Sequence, residues 1–335
     1  MQMSVFNLLS SRVSLAPMAG ITDYVLRSLV RRYSKTCLLT TEMISSEFLA
    51  QDRDSGEITM LDDGHHPIAY QISGHKPAMI RAAAERLSPK ADIIDINMGC
   101  PVNKVVKGQD GCALMRNPEL AADLVRAAKV DVNSPLPLRE GARGRGIPIS
   151  VKFRLGYTFD ELNYVEFGQK MQDAGAEFIT LHARTRSQMY SGKADWALIR
   201  RLKENVDIPV FANGDVVDID SAIECLELSK ADGVAIGRGM LGDPTLLHRI
   251  EHFLETGEKL LSPTLQEKIE MLKWHLDEEI KLRGQNMGIK FMRKFYPYYI
   301  SGIPNAAKLR GQLVIEDDYN NIMQYLNFCN DCTTV

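Results

Sequence analysis

Eight short apolar, β-branched runs recur along the first three quarters of the chain. They are VSLAPMAG ending at Gly20, LLTTEMISS at Ser46, PIAYQISG at Gly74 and ADIIDINMGCP at Pro101, then PISVKFRLG at Gly156, FITLHART at Thr185, IPVFANGD at Asp215 and DGVAIGRG at Gly239. Their cores are continuously hydrophobic rather than alternating, as in parallel strands covered on both faces. Segments with helical period lie between most of them. PAMIRAAAERL and PELAADLVRAAK are clear examples, and YVEFGQKMQDAG closes on a glycine of the helix-stop type. Eight strand–helix units in series predict an α/β fold, a (β/α)8 TIM barrel, which takes about 250 residues. The eighth unit closes near residue 250. An open doubly wound sheet would carry G-x-G-x-x-G after its first strand, and Ala16-Pro17-Met18-Ala19-Gly20 is not that turn.

Two places break the rhythm. Residues 131–146, DVNSPLPLREGARGRG, are too rich in Pro, Gly and Arg for a helix, and predict a surface excursion on the non-catalytic face. After about residue 255 the strand signals stop, and TLQEKIEMLKWHLDEEIKLRG begins. Thr264 with Glu267 forms a capping box, Leu265, Ile269, Leu272, Leu276 and Ile280 share one face, and Gly284 ends the helix. The expected division is a barrel over 1–255 and a small helical domain over 256–335.

Composition narrows the class. The chain has 335 residues, 45% hydrophobic and 25% charged, which excludes disorder, collagen and coiled coil as whole-chain readings. No apolar run approaches the roughly 18–20 residues of a membrane span. The N-terminus lacks the pattern of a secretory signal. Six scattered cysteines read as reduced and cytoplasmic, not as a disulfide framework. Nothing demands a protein partner, so a monomer is expected. At a net charge of −3, any nucleic-acid partner must be met by a local patch.

In a barrel the active site lies at the C-terminal strand ends. That rule turns scattered polar residues into a ring: Pro17 and Met18, Glu42, Gln71, Asn97 and Cys100, Lys152 and Arg154, His182 and Arg184, Asn213 and Asp215, Gly237 and Arg238. Polar residues ending apolar strands are costly unless satisfied or used. Asn213-Gly214-Asp215 and Gly237-Arg238-Gly239 suit the usual barrel phosphate site, although such glycines also serve plain tight turns. With Arg238 there and Lys152 opposite, a phosphate-bearing cofactor is the favoured reading. Lys152 suits the reduced ring of a flavin and Gln71 its polar edge; an ion pair of Lys152 with Glu42 or Asp95 is the alternative. Cys100 stands in Asn97-Met98-Gly99-Cys100-Pro101, where Gly and Pro set a sharp turn at the rim, so its thiol is a candidate acid or nucleophile. Cys112 is a weaker candidate, since a lone cysteine is commonly a small buried hydrophobe. Cys329 and Cys332 lack a second pair for zinc and read as tail.

These residues resemble the tRNA-dihydrouridine synthases. The similarity rests on Ala16-Pro17-Met18-Ala19-Gly20 with Ile21-Thr22-Asp23, Asp95-Ile96-Asn97-Met98-Gly99-Cys100-Pro101, Lys152-Phe153-Arg154-Leu155-Gly156, His182-Ala183-Arg184-Thr185-Arg186, Asn213-Gly214-Asp215 and Gly237-Arg238-Gly239. It runs from about residue 13 to 250, and the later helices are more loosely similar to the bacterial B-type branch. The resemblance implies flavin mononucleotide (FMN) in the barrel, NADPH as reductant, and hydride delivery to C6 of a tRNA uridine. It implies that Cys100 protonates C5. It further implies that Pro17, Met18, Gln71, Lys152, His182, Asn213, Gly214, Asp215, Gly237 and Arg238 hold the flavin, and that Asn97 and Arg184 meet the uracil. Position 17 of the tRNA is the implied target. Residues 131–146 depart from the family's short link.

The residues themselves also speak for RNA. From Ile280 to Ile315 there is no acidic residue, while Lys281, Arg283, Lys290, Arg293, Lys294, Lys308 and Arg310 are basic. Phe291, Phe295, Tyr296, Tyr298 and Tyr299 are interleaved. Cations contact phosphates and aromatics stack bases, although Phe291 and Phe295, one turn apart, suit a core. The target base must then be extruded into the pocket. Two other readings share part of this pattern. A flavin barrel acting on a free pyrimidine-like small molecule, as dihydroorotate dehydrogenases do, leaves the basic helices unexplained. An RNA-binding module on a dead barrel leaves Cys100, Lys152 and His182 unexplained.

Overall fold

A computed structural model describes residues 9–51, 65–130, 146–302 and 305–331. Each of the eight apolar runs forms strand. The strands are β1 (Val13–Leu15), β2 (Leu39–Thr40), β3 (Ile44–Ser45), β4 (Ile68–Ser73), β5 (Ile93–Met98), β6 (Ile149–Arg154), β7 (Phe178–His182), β8 (Val210–Asn213) and β9 (Gly233–Ile236). The run LLTTEMISS gives two short strands instead of one. Its Glu42 turns its carboxylate to accept the Gly20 N–H, and the strand is interrupted there.

All pairings are parallel, in the order β1-β9-β8-β7-β6-β5-β4-β2, with β3 also on β4. A bridge between Ser14 and Leu38 joins β1 to β2 and completes the ring of eight barrel strands. Helices connect successive strands, so the architecture is a TIM barrel followed by further helices. Pro77–Leu87, Pro118–Ala128 and Tyr164–Ala174 form where the apolar period predicts them, the last stopped by Gly175 at φ 101°. Ala69, Ile93, Phe178, Phe211 and Ala235 pack together from five strands, and Phe178 meets Phe211 edge to face at 4.8 Å. Most of them come from the first half of their strands. These residues form an apolar layer inside the barrel, and the polar side chains of Ser14, Asp95, Ser150 and Lys152 line a cavity beside it.

By internal contacts the chain divides into two units, Met1–Asp23 with Thr36–Gly237, and Tyr24–Lys35 with Arg238–Val335. The second unit is helical. Its longest helix, Leu265–Arg283, starts at the expected capping box, in which Thr264 Oγ1 accepts the Glu267 N–H. Ile269, Leu272 and Leu276 are fully buried as expected, but Leu265 and Ile280 are only half-buried. The buried stripe runs instead through His275 and Glu279. One polar atom of each is met locally: Arg283 Nε donates to Glu279 Oε2 at 2.7 Å, and His275 Nδ1 lies 3.2 Å from the Tyr299 hydroxyl, while His275 Nε2 faces Glu279 Oε1 at 3.7 Å. Residues 131–145 of the predicted excursion lie outside the described residues, as does Cys332; Cys329 falls within the last helix, Tyr319–Asp331.

Candidate active site

The upper strand ends bring part of the expected ring together as a hydrogen-bonded chain. Gln71, on β4, is 1% exposed. Its Nε2 donates to Asp95 Oδ2 at 2.7 Å, and its Oε1 accepts from Asn97 Nδ2 at 2.8 Å. Ser150 Oγ donates to the other Asp95 oxygen at 2.6 Å. Burial raises the Asp95 carboxyl above its ordinary value, against the lowering by Ser150, Gln71 and Lys152. The sequence marks Asp95 only as an alternative ion-pair partner of Lys152, and Ser150 carries no sequence signal beyond its place inside a strand.

Asn97 ties this chain to the cysteine loop. Its Oδ1 accepts the N–H of Gly99 at 3.2 Å and of Cys100 at 2.9 Å. Cys100 is a free thiol and half-exposed. On the adjacent strand β6, in register with Asn97, stands Lys152, also half-buried. Burial first, and the neighbouring Arg154 second, push its ammonium down to about 8, opposed by Asp95. Lys152 keeps its charge there at a cost to the stability of the folded state. With Pro17, Asp95, Ser150 and Thr180 it lines a cavity in the upper barrel.

Arg154, at the end of β6, is 2% exposed and braces backbone. Its Nε donates to the Gly99 carbonyl at 3.0 Å, and its Nη1 to Thr185 and Met189 carbonyls at 2.9 and 2.8 Å. Arg184 is equally buried. Its Nη2 meets both Asp215 oxygens at 2.8 and 2.6 Å and the Gly192 carbonyl at 2.7 Å, and its Nη1 lies 3.4 Å from His182 Nε2. Asp215 also accepts the Ala194 N–H at 2.7 Å. Asn213 Nδ2 donates to the Ala235 carbonyl at 2.7 Å. Gly214, at φ 121°, passes so close that a Cβ would lie 2.9 Å from the Ala194 Cβ and 3.1 Å from His182 Cδ2. Pro17, Met18 and Gly237 stay partly open, and a Cβ on Gly237 would lie 3.5 Å from the Met18 sulfur. Arg238 follows Gly237 and is exposed.

In the helical unit the expected cations are unequal. Lys281 pairs with Glu278 at 2.7 Å, Arg283 with Glu279, and Arg293 with Asp317 at 2.9 Å. Lys294 sits 3.2 Å above the half-buried Phe291 ring, and Lys290 is exposed. Phe295, Tyr296 and Tyr299 are core, while Tyr298 is 42% exposed. The acid-free stretch is therefore not acid-free in space.

The arrangement defines an upper-barrel site with one accessible thiol, one destabilised cation and a rigid polar support. Residues 14–330 match the family described as dihydrouridine synthase, and the chain belongs to that family of enzymes. It is 41% identical over 306 residues to a probable tRNA-dihydrouridine synthase 1 of Synechocystis sp., covering 91% of this chain and 82% of the relative. It is 35% identical over 306 residues to tRNA-dihydrouridine synthase B of Pseudomonas aeruginosa, covering 91% and 88%. In fold it is similar to a solved histamine dehydrogenase of Rhizobium sp. 4-9, with TM-score 0.54 and 14% identity over 79% of this chain and 51% of that one. No helix among the described residues is long and apolar enough to cross a membrane.

Proposed function

We propose that this chain reduces the C5=C6 bond of a uridine in the D-loop of tRNA, with FMN as its flavin and NADPH as the reductant. What carries the reading is the Asp95–Gln71–Asn97–Cys100 chain, which holds one half-exposed thiol by its own backbone N–H. The naming of the relatives as tRNA-dihydrouridine synthases supports it. The residues suit a flavin. Lys152 is a cation whose charge burial disfavours, so an electron-rich ring or a phosphate restores what it lost on folding. When bound, FMN supplies the hydride that reaches C6 of the uracil, and NADPH replenishes it.

The chain's own residues do the rest. A bound flavin would be held between Pro17 and Met18 on one side and Lys152, which would set positive charge against it, with Gln71, kept in place by Asp95 and Asn97, shaping the wall at its polar edge. His182 and Asn213-Gly214-Asp215 form one wall. Gly237 and Arg238 take the phosphate. Asn97 orients the uracil, and Arg184 holds the wall through Asp215 on the same side of the site. Cys100 transfers its proton to C5. A half-exposed thiol at the rim, with its backbone held by Asn97, is placed to act as an acid. The tRNA phosphates are met by Lys281, Arg283, Lys290, Arg293 and Lys294, and the target base is flipped out of its stack to enter the barrel. The enzyme works in the cytoplasm as a monomer.

Replacement of Cys100 by Ala tests the reading directly. The purified variant is expected to keep its yellow flavin absorbance and lose nearly all dihydrouridine formation on tRNA. Turnover at the native rate would remove the thiol from the reaction.

A further inference from the structure

We propose that the Cys112 thiol is a positioning group for the reaction: with Arg154 it fixes the Gly99–Cys100 peptide, and so sets the direction in which the Cys100 side chain leaves the backbone. The proposal rests on Cys100 as the proton donor. The Gly99 carbonyl accepts two hydrogen bonds, from Cys112 Sγ at 3.0 Å and from Arg154 Nε at 3.0 Å. The other side of the same peptide, the Cys100 N–H, donates to Asn97 Oδ1 at 2.9 Å. A peptide held at both its oxygen and its nitrogen cannot rotate. Cys112 grips the next unit as well, since its own N–H donates to the Cys100 carbonyl at 3.1 Å.

Packing alone does not account for this. Cys112 is fully buried, which a small hydrophobe would also be. But at 3.0 Å the sulfur and the oxygen approach more closely than the two atoms do in simple packing contact, as a hydrogen bond between them requires. The approach depends on Gly111. It sits at φ 60°, and a Cβ there would lie 2.7 Å from the Cys100 carbonyl oxygen. Burial pushes the Cys112 thiol up to about 12, so it keeps its proton and remains a donor throughout neutral pH. Arg154 anchors the same carbonyl to the loop after β7 through Thr185 and Met189. The cysteine loop is thus braced from within by Cys112 and from the neighbouring strand β6 by Arg154.

The experiment compares Cys112→Ala, Cys112→Ser and Cys100→Ala in the full chain, with kcat and KM for tRNA measured separately and flavin content read by absorbance. Loss of one positioning hydrogen bond predicts a fall of about fivefold in kcat for Cys112→Ala, with KM and flavin content unchanged. Cys112→Ser keeps a donor and is expected to recover most of that loss. Unchanged kcat in Cys112→Ala, or a Ser variant as slow as the Ala one, overturns the proposal. An active Cys100→Ala enzyme overturns the reading beneath it instead. The native protein offers a measurement that needs no stable Ala variant: the S–H stretching band that disappears in Cys112→Ser should lie at the hydrogen-bonded, low-frequency position. A band at the free-thiol position sinks the proposal.

Discussion

Removing the Lys152 charge should make the flavin-free protein more stable. Its ammonium falls from 10.5 to about 8, chiefly through burial. Each tenfold in proton affinity corresponds to about 1.4 kcal/mol, so holding the charged form in the folded state costs about 3 kcal/mol. The sign follows from proton counting. Between pH 8 and 10.5 the unfolded chain keeps the proton and the folded one releases it, so stability rises with pH across that window. Below pH 8 both states are protonated and the penalty is at its full size. Lys152→Met removes it. The variant is expected to exceed the wild type by about 3 kcal/mol at pH 7, and the gap should close as pH approaches 10.5. Part of the gain is offset, because Asp95 loses an attractive neighbour while keeping Ser150 and Gln71. Urea denaturation of both apoproteins at several pH values reads the difference directly. Flavin binding should restore the proton affinity of Lys152 and flatten the wild-type slope. A Lys152→Met protein less stable than wild type at pH 7, or a gap that ignores pH, would refute the argument.

Asp215→Ala leaves the 2%-exposed Arg184 without its carboxylate, and unpaired buried charges cost about 3 kcal/mol; a denaturation midpoint equal to wild type contradicts this. Gly214→Ala forces a side chain into φ 121° against Ala194 and His182, for an expected loss of about 2 kcal/mol. Retained flavin content and an unshifted melting temperature would show that the approach is looser. Among the cations, Lys290→Glu should weaken tRNA binding and lower the salt dependence by about one counterion. Lys281→Ala should do less, because Glu278 already neutralises Lys281, and equal effects in a salt titration would show that this pairing does not survive RNA binding.

The fold was legible because burial on both faces leaves a one-dimensional trace. A strand such as Gly233–Ile236 reads as apolar whichever neighbour it finds. Helix limits were legible where the chain carries stops, as at Gly175 and Gly284. The trace weakens where a polar side chain acts at a distance. Glu42 interrupts its run by reaching Gly20, twenty-two positions back. His275 and Glu279 occupy buried positions on the long helix beside Arg283, Tyr299 and each other, and apolar periodicity cannot announce such pairings. The site was legible as a ring of residue types, since the barrel rule places every strand end at one face. What each member touches was not, because Arg184 and Asp215 are thirty-one residues apart and Cys112 meets Gly99 only after the loop has turned.

Hydrogen bonding then sorts the ring by task. A buried polar atom must be satisfied before any ligand arrives, or the apoprotein bears the cost. Gln71, Asp95, Asn213, Arg154, Arg184 and Asp215 are satisfied by one another or by backbone, so their effect on a ligand is mainly through the shape they hold. Cys100, Lys152, Pro17, Met18 and Gly237 keep exposed surface and are the groups a ligand can reach without breaking anything. For Arg184 to contact a uracil, its guanidinium must release Asp215 or share it, and that exchange costs a buried ion pair. A rigid outer shell around a few open groups is what preorganised chemistry requires: the thiol and the ammonium are set before substrate enters, and binding energy is not consumed in ordering them.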